Sequence, residues 1–159
     1  MSNTRIGFGY DIHKLINGNS ILLAGVEIAS KYSVEAHSDG DIVLHSLSDA
    51  IYGSIAEGDI GIHFPSNSKN ININSKDILN HAYSLLRKRN YKINNIDITI
   101  VIESPRLQPK IIKMRESLSK LMDISVDQIS IKSSTSQKIG LVGEHKAAIC
   151  YSTIMISNG

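Results

Sequence analysis

Alternation governs the start of the chain. Over residues 5–10, Ile6, Phe8 and Tyr10 fall on one face and Gly7 and Gly9 on the other, the period of two of a β-strand. Asp11 and His13 continue the glycine face, two residues apart at the strand's end. Two glycines weaken a strand interior, so their presence predicts a close approach to the backbone on that side. NGN at 17–19 reads as a turn, and SILLAGVEIA at 20–29 as a second strand or a bulged pair broken at Gly25. After HSDGD at 37–41, where Ser38 or Asp39 is a candidate cap, the period changes. Leu44, Leu47, Ile51 and Ile55 recur at helical spacing, and that helix is expected to end near Gly58.

Residues 59–74 are polar and Asn-rich, a long connection that fits a substrate lid or a disordered flap. Ser75 is the expected cap of a second helix with Ile78, Leu79, Ala82, Leu85 and Leu86 as its stripe. IDITIVI at 96–102 is a strongly apolar strand, SPRLQP follows, and Pro109 suits the first position of a helix running to Met122. Residues 129–133 form another strand, SSTSQKIGLVGE a polar loop, and AAICYSTIMIS a long closing strand. The prediction is an α+β fold: one domain over residues 1–159, with about five strands and three helices, and helices on one face of a mostly antiparallel sheet. The late strands are apolar enough to be buried on both sides. Helices cover one side only, so other subunits are the expected cover for the second.

Composition narrows the function. Hydrophobic residues make up 42% of the 159, and the formal net charge is only +2 with no basic run, which argues against a nucleic-acid surface. Trp is absent and aromatics are 5%, which argues against base-stacking platforms. Cys150 is the sole cysteine, so an internal disulfide and a cysteine metal cluster are excluded, and its apolar neighbours suggest a core thiol. No apolar run is long enough to span a bilayer and the first residues lack signal-peptide regions. A cytoplasmic protein with no membrane partner is the expectation.

Six histidines carry most of the candidate chemistry: 13, 37, 45, 63, 81 and 145. Positions 41, 45 and 49 share a helix face, so Asp41 or Asp49 are candidates to grip His45. With Asp11 and His13 this allows a two-histidine, one-carboxylate set, which suits Zn²⁺ with a fourth position open. The alternative is a solvent-facing Asp11–His13 pair and a satisfied buried His45. His37 and Ser38 precede the helix and are candidates for an anion at its N-terminus, or an ordinary turn and cap. His63 reads as unused and His81 as surface. SSTSQK at 133–138 sets four hydroxyls beside a lysine, suited to phosphate oxygens, without a Walker A arrangement. SPR at 104–106 is a second candidate contact.

Asp11-Ile12-His13, His37-Ser38-Asp39-Gly40-Asp41 and His45, with LLAGVEI, GDIGIHFP, NIDITIVIESPRLQPKIIKMR and IKSSTSQKIG in order, resemble the 2-C-methyl-D-erythritol 2,4-cyclodiphosphate synthase family of the non-mevalonate route to isoprenoids. The resemblance implies a phosphorus–oxygen lyase that cyclises a cytidyl diphosphate substrate and releases CMP. It implies Zn²⁺ on Asp11, His13 and His45, and Mg²⁺ or Mn²⁺ bridging the diphosphate. It assigns catalytic roles to His37 and Thr135. Substrate contacts are implied at Asp11, Ile12, His13, His37 and Ser38, then at Asp59, Ile60, Gly61, His63, Phe64 and Pro65 for the methylerythritol part. Ser104, Pro105, Arg106 and Leu107 match the cytidine end. Ser134, Thr135, Ser136, Gln137 and Leu141 match the diphosphate end. Members are homotrimers with active sites at subunit boundaries. A metal hydrolase giving a linear product, and a non-catalytic assembly domain, are the competing readings.

Three departures from the family pattern stand out. Gln137 occupies the place of a frequent glutamate that anchors the second metal, Ser66 that of a frequent aspartate, and Glu144 that of an arginine at a cavity on the trimer axis. The first predicts a weaker second-metal site, and the last puts isoprenoid diphosphate binding in that cavity in doubt.

Overall fold

The computed structural model describes residues 3–36, 38–65 and 73–158. The first strand, β1 (Asn3–Asn17), is longer than the alternation alone suggested. It runs on through Asp11 and His13 because its partner at the other end of the sequence pairs with it from Asn3 to Lys14. A hairpin follows, β2 (Ser20–Leu23) and β3 (Val26–Ala29), turning at Ala24 and Gly25 with φ of 53° and 72°. Then come β4 (Tyr32–Glu35), helix α1 (Ile42–Ser54), a short α2 (Ile60–His63) and α3 (Ser75–Lys88). The second half is β5 (Lys92–Val101), a 3-10 turn Gln108–Lys110, α4 (Ile111–Met122), β6 (Ile129–Ser134), a short α5 (Gly140–Gly143) and β7 (Ala147–Asn158).

Five strands form one sheet in the order β4-β1-β7-β5-β6, antiparallel except for β5 beside β6. That parallel pair needs a crossover, which α4 supplies. The mixed sheet with its helices is the predicted α+β sandwich. The helices cover one face. Ile96, Ile98 and Ile100 of β5, and Ala148, Cys150, Ile154 and Ile156 of β7, are buried beneath Leu44, Leu47, Ile51 and Ile55 of α1 and Leu79, Ala82 and Leu86 of α3. On the opposite face Ile6, Phe8, Tyr10 and Ile12 of β1 stand exposed.

The glycines of β1 explain how α1 reaches the sheet. A Cβ on Gly7 would sit 1.8 Å from the Ala50 carbonyl oxygen, and one on Gly9 1.8 Å from that of Ser46. The helix backbone therefore lies directly on the strand. Beside this contact the Ser46 hydroxyl meets Ser152 Oγ at 2.7 Å and donates to Cys150 Sγ at 3.1 Å. Burial pushes the Cys150 thiol up to about 12, so it stays protonated and inert.

Local boundaries differ from the sequence reading for physical reasons. The cap of α1 is Asp41, not Ser38 or Asp39, because its wholly buried carboxylate accepts Val43 and Leu44 N–H at 3.1 Å and ties the hairpin turn through Ala24 N at 2.9 Å and Gly25 N at 2.6 Å. The helix ends at Ser54, short of Gly58. Asn74, not Ser75, caps α3 by accepting Lys76 N–H at 2.9 Å. Pro109 lies in the 3-10 turn, and α4 begins two residues later. Helix α2 interrupts the expected 59–74 loop, and α5 that at 133–144; both are one turn long and bury no stripe that periodicity could reveal.

Candidate metal centre and substrate cavity

The close packing of α1 on β1 carries His45 over the end of the strand. Asp11 Oδ2 lies 2.9 Å from His13 Nε2 and 3.2 Å from His45 Nδ1. One ligand atom from each of the three falls within 4.8 Å of the others, and all three side chains are half-buried. Two imidazole nitrogens and a carboxylate oxygen with an approach from solvent are a donor set for a divalent metal. Burial alone would raise the Asp11 carboxyl, but hydrogen bonds and charge from His13 and His45 outweigh it and hold the group at about 2. Burial works against the His13 cation too, yet Asp11 raises its pKa above the ordinary value. Asp41 and Asp49, the sequence candidates for gripping His45, are used elsewhere. Asp41 caps the helix, and Asp49 Oδ1 accepts the Ile60 N–H at 2.9 Å.

Ile12 turns its side chain to the outer face, and its N–H donates to Asp11 Oδ1 at 2.9 Å. Ser38 Oγ accepts Gly40 N–H at 3.1 Å and lies 3.5 Å from His45 Nε2. His37 and Ser66 lie outside the described residues. Asp59 caps α2, accepting Ile62 N–H at 3.1 Å, so Asp59, Ile60 and Gly61 form one exposed turn held to α1 by Asp49. His63 is far from unused: it stacks on Tyr52 at 4.2 Å, and its Nε2 meets Glu57 O at 2.9 Å. His81 is not a plain surface residue either, since its Nδ1 meets the Tyr52 hydroxyl at 2.8 Å and Phe64 packs edge-on against its ring at 5.3 Å. This ring cluster anchors the stretch leading to Pro65, and no sequence pattern marks it because its members come from α1, α3 and the end of α2.

A second site opens where parallel β5 and β6 end together, Val101 opposite Ser134. Pro105, Arg106 and Leu107 line a cavity of about 400 Å³ with Ser133, Ser134 and Thr135, so the two stretches singled out separately in the sequence meet. Ser104 precedes Pro105 through a cis peptide bond. Glu103 fixes the hydroxyl loop, accepting Ser136 N–H at 2.9 Å, Ser136 O–H at 3.0 Å and Lys138 N–H at 3.3 Å. Gln137, in the left-handed region, turns its amide back to Thr135 Oγ1 at 3.4 Å. Leu141 projects exposed from α5. Glu103 escaped the sequence reading, although a carboxylate immediately before SPR is a visible signal for a cap on a neighbouring loop.

The two sites share one end of the sheet but not one strand. Register runs from His13 through Ala148 and Ile149 to Val101 and Ser134, three strand spacings, or about 14 Å.

Comparison with known proteins agrees with this geometry. Residues 4–157 match the profile of the YgbB family. The 2-C-methyl-D-erythritol 2,4-cyclodiphosphate synthases of Fusobacterium nucleatum and Acinetobacter baumannii are 39% identical over 153 residues (96% of each chain) and 40% identical over 159 residues (99% of each). Among solved structures, a CDP complex of IspF from Plasmodium falciparum is similar with a TM-score of 0.86 and 37% identity over 96% of this chain and 95% of that one. The bifunctional IspDF from Campylobacter jejuni is similar with a TM-score of 0.95 and 32% identity; this chain is covered completely but spans only 43% of that larger one. With residues 4–157 matched by the family profile and relatives 39% and 40% identical over nearly their whole length, the chain belongs to the YgbB family.

Proposed function

We propose that the protein converts 4-diphosphocytidyl-2-C-methyl-D-erythritol 2-phosphate to 2-C-methyl-D-erythritol 2,4-cyclodiphosphate and CMP. The observation that carries this reading is the convergence of Asp11, His13 and His45 in a chain similar over its length to enzymes of that name. An oxygen of the substrate's 2-phosphate attacks the β-phosphorus, the bond from that phosphorus to the CMP oxygen breaks, and CMP leaves with the electron pair. When bound, Zn²⁺ on the triad would act as Lewis acid to a phosphate oxygen, and Mg²⁺ or Mn²⁺ at the diphosphate would offset its charge.

The chain's own residues do the rest. Pro105, Arg106 and Leu107 form the wall suited to the cytidine end, and Thr135, on the rim of the same cavity, offers a hydroxyl to the transferring phosphoryl group. Asp59, Ile60 and Gly61 present a turn for the methylerythritol hydroxyls, and His37 is assigned as a phosphate donor. Holding both ends of one molecule replaces encounter by proximity, the largest gain open to a ring closure. No protein nucleophile is called for, consistent with the buried Cys150. Gln137 offers a neutral carbonyl where a carboxylate would bind a cation more strongly, so the second metal is held more weakly than a glutamate at that position would hold it.

The active unit in this reading is a homotrimer, with the metal half of one chain facing the cavity half of its neighbour. The distance between the halves within one chain and the apolar outer face of β1 support it. Glu144 brings an anion where an arginine is frequent and is paired with Lys146 at 2.6 Å, which disfavours an isoprenoid diphosphate on the trimer axis. A cytoplasmic enzyme acting without membrane or nucleic-acid partners completes the proposal; among the described residues no helix is long and apolar enough to cross a membrane.

The test is to determine bound metal by elemental analysis, then incubate the protein with the cytidyl substrate and separate the products. Equal amounts of CMP and cyclic diphosphate are expected. CMP with a linear product carrying solvent oxygen would establish a metal hydrolase instead.

A further inference from the structure

We infer that Asp39 and Ser75 form an outer relay that orients His45 toward the metal, which makes Ser75 a positioning residue of the centre; the inference rests on the metal reading above. The ring of His45 is held at both nitrogens. Nδ1 faces Asp11 Oδ2 at 3.2 Å, inside the ligand cluster. Nε2 points the other way and meets Ser75 Oγ at 2.9 Å. Ser75 Oγ in turn hydrogen-bonds the Asp39 carboxylate, which also accepts the Ser75 N–H at 3.2 Å.

The protons in this chain have one consistent arrangement. An ionised carboxylate only accepts, so the Ser75 hydroxyl hydrogen points to Asp39. The oxygen of Ser75 then accepts, and Nε2 of His45 must carry the hydrogen it receives. An imidazole with its hydrogen on Nε2 has its lone pair on Nδ1, the nitrogen that faces Asp11 and His13. The relay therefore selects both the tautomer and the ring orientation that metal ligation requires, as outer hydrogen bonds to ligating histidines do. Ser38 does not compete well, because its hydroxyl is 3.5 Å from Nε2, beyond a good N–H···O distance.

Two further observations separate this role from helix capping. Asn74 already supplies the side-chain cap of α3, so the Ser75 hydroxyl is not required for that purpose. Ser75 is wholly buried although it is the first residue of the helix, and a buried hydroxyl with both its donor and its acceptor committed is a specific contact. The three members come from the turn before α1, from α1 itself and from α3. Only the packing of α3 against α1 unites them.

The test compares zinc affinity, by competition with a chromophoric chelator, and the visible spectrum of the Co²⁺-substituted protein. Ser75→Ala is expected to weaken zinc binding by about 10–100-fold and to alter the Co²⁺ bands. Ser75→Thr retains the hydroxyl and is expected to restore both. Asp39→Asn, at an exposed position, reads the same relay without touching the core should Ser75→Ala fail to fold, and is expected to weaken binding less, because its amide oxygen still accepts. Parental affinity and an unchanged Co²⁺ spectrum in Asp39→Asn and any folded Ser75→Ala protein would overturn the relay while leaving the metal centre intact. A parent protein that binds no zinc, or a His45→Ala variant that binds it as tightly, would overturn the centre and the relay with it.

Discussion

Asp11 and Asp41 put the same carboxylate to opposite uses. Asp11 is held at about 2 by its two histidines in spite of burial, so it stays anionic over the working range. Asp41 is buried completely, and burial pushes it up to about 6 against the backbone N–H groups that it accepts; its oxygens are committed to the fold. In the proposed metal centre, His13 is the group expected to limit binding at low pH. Its pKa is raised, and an imidazole must lose its proton to ligate. Protons therefore begin to compete with zinc at a higher pH than they would for an ordinary histidine. Apparent zinc affinity is expected to hold above that raised pKa and to fall below it by about tenfold per pH unit for one proton. Chelator competition from about pH 8 down to about pH 5 reads this directly, and a flat profile would remove His13 from the ligand set. At this scale the sequence marks the members of the triad but not their partners. D-x-H and a helical histidine are visible, whereas the helical spacing points Asp41 and Asp49 at His45 and the structure uses both elsewhere. An N-cap side chain curls back onto the first turn, and the hairpin that buries Asp41 arrives from elsewhere. Ser75 left no signal, because thirty residues separate it from His45 and only helix packing joins them.

The element that decides the site is the contact of α1 with β1. Gly9 lies beneath Ser46, the residue after His45, with room for no side chain. Gly9→Ala must therefore lift the helix, and the lift moves a metal ligand. A loss of about 3 kcal/mol in stability is expected from such overpacking, together with reduced zinc content, measured by urea unfolding and elemental analysis. A fully stable, fully loaded Gly9→Ala protein would show that the close approach does not set the ligand geometry. The two glycines on one face were readable in the sequence as a sign of something near the backbone, and that something is the helix that carries His45. The long apolar elements were equally readable, since α1, α3, β5 and β7 bury the stripes their periodicity marked. The short ones were not, because α2 and α5 are one turn each and bury almost nothing.

For the whole molecule, the unbalanced feature is the outer face of the sheet. Ile6, Phe8, Tyr10 and Ile12 are 68%, 62%, 45% and 41% exposed on one strand, and Tyr151 of β7 extends them through ring contacts with Phe8 and Tyr10 at 6.2 and 5.4 Å. A contiguous apolar stripe of this kind marks an interface. It sits on the face opposite α1, away from the metal ligands, so assembly and metal binding are separable. Phe8→Glu places a charge in the middle of the stripe. If three chains pack through it, sedimentation should show the mass fall from three chains to one. Zinc content should stay at the parental level, because Asp11, His13 and His45 belong to one chain. Cyclisation should be lost, because the cavity of Pro105, Arg106 and Thr135 that serves those ligands would belong to a neighbour no longer present. A Phe8→Glu protein that remains assembled would show that the stripe is not the interface. A single-chain Phe8→Glu protein with full activity would show that each chain completes its own site across the sheet.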